Sequence, residues 1–257
     1  MIWKLFVYGL VICLIILGCE QNEGENFNYA LCSIEWSHDT YDFPIKPGMD
    51  EWSLLTTSRA MDSVLLMPDS ILQNISTEGL IQTCMNYPRW FDLFFSYNYN
   101  FQRGFEILYS NFNGLQELLN RSDAGHLLYT YYNQMHPECN ESNWSRVLGP
   151  SFTYAWIEII IAQYQILEQF DTEEMELLCS YALQTYKKKN LLDYSIFTQK
   201  TSLLISGRIM KINEFAPFVQ EYNANNNLKI FIDYSVLNGH FEILNVIEIL
   251  TKDYLSN

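Results

Sequence analysis

The sequence predicts an all-α protein whose helices are preceded by an irregular N-terminal segment, and three observations carry that prediction. Apolar residues recur at helical spacing from Ser58 nearly to the C-terminus, no stretch alternates convincingly between apolar and polar, and Ser, Asp or Pro stands where several of the periodic stretches begin. The 257 residues suffice to bury a substantial core without a covalent staple. Two architectures remain open: a superhelix of stacked helix pairs, and an irregular multi-helix bundle. No internal repeat selects the superhelix.

The chain begins "MIWKLFVYGLVICLIILGC", with Lys4, then an apolar run, then Gly18 before Cys19. That layout predicts a secretory signal over residues 1–18. The run is short for a membrane-spanning helix, which needs roughly 20 apolar residues. "ILGC" resembles a bacterial lipobox, and the resemblance implies that Cys19 is the lipidated first residue of the mature chain. Two or more acyl chains anchor stably where one is marginal. Residues 19–56 read as a tether and an irregular segment. The polar "EQNEGENFN" comes first, and Pro44, Pro47 and Gly48 in "DTYDFPIKPGMDEW" exclude a continuous helix further on.

Residues 57–257 read as a single all-helical domain. Pro68 opens "PDSILQN", and Ser76 or Thr77 caps "EGLIQTCMN" before Tyr87-Pro88 breaks it. Pro88 fits the first turn of "PRWFDLFFSY". Then follow "FQRGFEILYSNF", with Phe101, Phe105, Leu108 and Phe112 on one face, the brief "GLQELLNR", and "DAGHLLYTYYNQM" with Ser122 as its cap. Beyond the loop from His136 to Gly149, "YAWIEIIIAQYQILEQF" is apolar nearly all round, which predicts one central helix. The most complete signature is "FDTEEMELLCSYALQTYKKK". Asp171 and Glu174 form a capping box, Phe170 and Met175 occupy staple positions, and Lys187 to Lys189 suit the negative end of the helix dipole. About four more helices follow, and "LKIFIDYSV", the best strand candidate, reads as one of them.

The formal net charge is -15, from 15 Lys plus Arg against 30 Asp plus Glu. Such a chain repels phosphate backbones, so no nucleic-acid partner is expected, and beyond its own lipid an anionic bilayer surface is disfavoured. Cys84 and Cys179 lie on apolar helical faces and read as buried free thiols. Cys32 and Cys139 sit in polar segments of an exported chain, where pairing stays open.

Three stretches, "FPIKPGMDEW", "MPDSILQNISTEGLIQTCMNYP" and "FNGLQELLNRSDAGHLLYTYY", resemble a family of uncharacterised exported proteins and lipoproteins of Bacteroidetes. The resemblance covers about residues 43–132. It implies export and a helical fold, and it supplies no catalytic residue.

Candidate sites are few. The aromatic-rich "YPRWFDLFFSYNYNF" offers a platform for a protein or glycan, with Trp90, Tyr97 and Tyr99 as its exposed rings and Arg89 interleaved. Arg121, Asp123 and His126 form a polar triplet in which His126 could act as a base oriented by Asp123, although capping and local pairing explain the same residues. His136, Glu138 and Cys139 are metal-capable, but no second cluster completes a site, so no metal or other cofactor is expected. No serine elbow, P-loop, dinucleotide fingerprint or HExxH motif occurs. The expectation is therefore a lipid-anchored binding module of the cell envelope, on the periplasmic side or at the surface of the outer membrane. The alternative is an envelope hydrolase working through a carboxylate or histidine site.

Overall fold

A computed structural model describes residues 37–95, 99–137 and 149–257, all within the compact unit Ile34–Asn257. The stretch read as a signal, Cys19, the part of the predicted tether up to residue 36, Cys32, Tyr97, Glu138 and Cys139 lie outside the described residues.

Fifteen helices and no strand occur among the described residues, ten of the helices having eight residues or more. In chain order they are α1 (Asp50–Ser53), α2 (Ser58–Val64), α3 (Asp69–Leu72), α4 (Thr77–Met85), α5 (Asp92–Phe95), α6 (Phe101–Asn111), α7 (Asn113–Asn120) and α8 (Ala124–Gln134). Then come α9 (Gly149–Ile161), α10 (Tyr164–Leu167), α11 (Thr172–Leu191), α12 (Ile196–Ile212), α13 (Ala216–Ala224), α14 (Asn226–Tyr234) and α15 (Glu242–Tyr254). No helix among the described residues is long and apolar enough to cross a membrane.

Local chemistry sets many of the boundaries. Ser76 caps α4 by accepting the Gly79 N–H at 3.0 Å, and Asn100 caps α6 by accepting that of Arg103 at 2.9 Å. The capping box of α11 is complete. Asp171 accepts the Glu174 N–H at 2.9 Å, and Glu174 accepts the Asp171 N–H at 3.0 Å. Ser122 does not cap α8. The N-cap is Asp123, whose carboxylate caps no N–H of the helix and instead accepts the Thr77 hydroxyl at 2.9 Å.

Two predicted helices are shorter than the periodicity suggested. Among the described residues of "PRWFDLFFSY", only those of α5 are helical. "YAWIEIIIAQYQILEQF" breaks between α9 and α10, where Gln163 is extended (φ -68, ψ 138). The Ala162 carbonyl there accepts Arg208 Nη1 at 2.7 Å, and Gln163 Nε2 folds back onto the Ile159 carbonyl at 2.7 Å. A tertiary arginine thus occupies a carbonyl at the break.

The helices form an irregular bundle. α12 lies at its heart, packed against α9, α11, α13, α14 and α15, whereas in a solenoid each unit would meet only its sequence neighbours. Residues 153–161 of α9 are all buried, as their apolar character predicts. α12 is also deeply buried, yet it carries Thr198, Lys200, Thr201, Ser202, Ser206 and Arg208 among its aliphatic side chains.

Apart from the Ser206 hydroxyl, those polar groups find partners in the core. Glu158 of α9 is fully buried, and its carboxylate accepts Tyr132 Oη at 2.7 Å, Ser202 Oγ at 2.6 Å, Lys189 Nζ at 2.5 Å and the Thr201 hydroxyl. Lys189 Nζ also donates to the Thr198 carbonyl at 2.9 Å. Burial lowers the Lys189 pKa and holds the Tyr132 phenol well above its usual range. Lys200 is placed differently. Its ammonium lies 3.8 Å from the centroid of the Phe101 ring and donates to the Ser235 carbonyl, and burial pulls its pKa down to about 7.

Candidate functional site

The aromatic platform is only partly exposed. Trp90 is a core residue at 8% exposure, stacked on Trp156 at 6.5 Å and edge-on to Phe94 at 5.8 Å, which corrects the expectation of an exposed ring. Its indole area is better used in this aromatic core than in water. Arg89 is a clamp between elements. Nε and Nη2 donate to Asp92 at 2.8 and 2.5 Å, while Nη1 donates to Asp62 and to the Ser58 carbonyl. Tyr99 remains 48% exposed, with positive φ, and its ring stacks on Phe197 at 4.8 Å.

The polar triplet does not converge on one ligand. Arg121 donates to the Ile75 carbonyl at 2.7 Å, the Leu72 carbonyl at 3.1 Å and Glu117 at 3.0 Å, tying α7 to the α3–α4 connection. Asp123 is engaged with Thr77. His126 pairs with Glu174 of α11 at 2.9 Å rather than with Asp123, and its side chain is half exposed. Cys84 and Cys179 are free and buried, and burial pushes the Cys179 thiol up to about 12.

The concave chemistry lies elsewhere, where α6 faces α10. A cavity of about 750 Å³ is lined by Phe105 and Tyr109 of α6, by Gln163, Tyr164 and Gln165 at the helix break, and by Glu168. A second, of about 580 Å³, shares Gln102, Glu106, Tyr164 and Glu168 with the first and continues to Arg208, Lys211 and Asp233. Shared walls make the two one groove.

Most of its inner polar groups are locked. Gln102 accepts Arg208 Nη2 at 2.8 Å and donates to Gln163 Oε1 at 3.2 Å. Arg208 is buried and also donates to the Ile232 carbonyl at 3.0 Å. Lys211 bonds Asp233 at 3.0 Å and Tyr222 at 2.9 Å. Against this rigid frame stands one exception. The Tyr164 hydroxyl is buried and has no hydrogen-bond partner among the described residues, although its ring lies 5.3 Å from the Arg208 guanidinium. Such orphaned polar atoms are uncommon in folded proteins.

Sequence reasoning missed this groove. Tyr164, Gln165 and Glu168 sit in a stretch read as one apolar helix. The signal was the polar trio Gln163, Gln165 and Glu168, which a helix buried on every side would not carry. No family model matches the chain, and neither does any curated protein or solved structure.

Proposed function

We propose that this protein is a binding module of the cell envelope, tethered by lipid on Cys19, which holds its partner in the groove between α6 and α10. The observation that carries the reading is the buried, unpartnered Tyr164 hydroxyl in the wall shared by two contiguous cavities. A frame of satisfied inner side chains around a buried unsatisfied group is what a preformed site needs, because little ordering remains to oppose binding. The lipobox-like "ILGC" and the apolar run before it support the envelope address.

Placing a photo-crosslinking amino acid at Gln165, in cells carrying the lipid-anchored protein, tests the groove. The expected result is a discrete adduct that a crosslinker at Leu177, exposed on α11 outside the groove, does not give, and that Tyr164→Ala removes. Equal adducts from both positions, or none from Gln165, would reject the groove. The tether is tested by incorporation of labelled palmitate, which Cys19→Ala should abolish.

A further inference from the structure

We infer that the ligand of this groove is an uncharged saccharide, an assignment that rests on the groove being the binding site. In a chain of net -15, the groove is neutral, with Arg103, Arg208 and Lys211 set against Glu106, Glu168 and Asp233. Arg103 is paired with Glu106 at 3.2 Å, and Lys211 with Asp233 at 3.0 Å. Arg208 bonds only carbonyl and amide oxygens, and Glu168 has no ion pair among the described residues, so these two charges balance across the groove. A cationic ligand would meet Arg208 and Lys211 beside the Tyr164 ring, at 5.3 and 5.8 Å. An anionic ligand would meet Glu168 and the overall field of the protein.

Hydrogen-bonding capacity points the same way. Three side chains close together on α10 and its end are available: the buried Tyr164 hydroxyl, which has no partner among the described residues, and the exposed Gln165 amide and Glu168 carboxylate, which lie on the cavity wall. Together they offer a group that donates or accepts, a donor–acceptor pair and a pure acceptor. Adjacent sugar hydroxyls, each able to donate and accept, suit this mixed set.

Shape completes the argument. Half-buried Tyr109 and Tyr164 present ring surface to the cavity, which suits the C–H face of a pyranose better than a flat ionic group. Cavities of about 750 and 580 Å³ each fall in the small-molecule range of roughly 300–1,000 Å³, so the groove has room for more than one ring.

The test is calorimetric titration of the full-length protein in detergent with three neutral trisaccharides, maltotriose, mannotriose and chitotriose, and with two charged probes, trigalacturonate and trilysine. At least one neutral trisaccharide should saturate the protein, with an affinity unchanged between low and high salt. Tyr164→Phe, which removes only the hydroxyl, should weaken that binding about tenfold, near 1.4 kcal/mol. Saturation by none of the neutral probes, or neutral binding that Tyr164→Phe leaves intact, would overturn the assignment. Binding of a charged probe alone, weakened by Tyr164→Phe, would reject the saccharide while keeping the groove. A failed Gln165 crosslink would reject the groove itself.

Discussion

Two polar regions of this molecule solve the same problem in opposite ways. Around Glu158, deep in the bundle, the carboxylate collects four donors from Tyr132, Lys189, Thr201 and Ser202. At the groove, Gln102, Gln163 and Arg208 are equally well bonded, yet the Tyr164 hydroxyl next to them is left without a partner among the described residues. A buried polar group that is satisfied internally belongs to stability, and one left open beside a cavity belongs to recognition. The contrast separates architecture from site more sharply than any count of charged residues.

Breaking the inner region should have the largest effect. Glu158→Leu strands the Lys189 ammonium in the core and should cost about 3–5 kcal/mol in urea denaturation. The double variant Glu158→Leu with Lys189→Met should recover most of that loss, because no isolated charge remains. If the double variant is as unstable as the single one, packing rather than charge pairing governs the site.

Lys200 is the intermediate case, a buried cation set against a carbonyl and an aromatic face. Its pKa of about 7 in the folded chain lies below the ordinary lysine value of 10.5, so the unfolded chain binds more protons between those values. The destabilisation is therefore full below about pH 7 and fades as pH rises toward 10.5. Lys200→Met should stabilise the protein by about 2–4 kcal/mol at pH 6, with the gap to wild type narrowing by pH 9. A gap constant across that interval would contradict the assignment.

Gly104 ranks next. A Cβ there would sit 2.9 Å from the Leu93 carbonyl oxygen, a backbone atom that cannot swing aside, so α5 and α6 would be forced apart. Gly104→Ala should lower stability by about 1–3 kcal/mol. The smallest effect belongs to the groove. Tyr164→Phe, Gln165→Ala and Glu168→Gln should each leave the free energy of unfolding within about 0.5 kcal/mol of wild type while altering ligand binding. A large stability loss from Tyr164→Phe would mean that its hydroxyl is structural, and the contrast between the two regions would collapse.

The sequence announced whatever depends on neighbours a few residues apart. The α11 capping box and staple, the Ser76 cap, the stop at Pro88 and the helical reading of "LKIFIDYSV" all follow from local hydrogen bonding and periodicity. The polar core was hidden because its partners are distant in the chain. Glu158 is 31 residues from Lys189 and 44 from Ser202. The break after α9 was equally invisible, since Arg208 lies 46 residues beyond the carbonyl it occupies. Trp90 was misplaced because aromatic density marks both cores and contact surfaces. The groove needed α6 brought against α10, and no periodicity within either helix reports that meeting.

One consequence of the Glu158 knot concerns how the chain comes apart. Because a single carboxylate binds side chains from α8, α11 and α12 while sitting on α9, none of the four can peel away without exposing an ion inside an oily interior. These segments should therefore open and close together, as one cooperative unit, leaving the flanking helices to fray on their own.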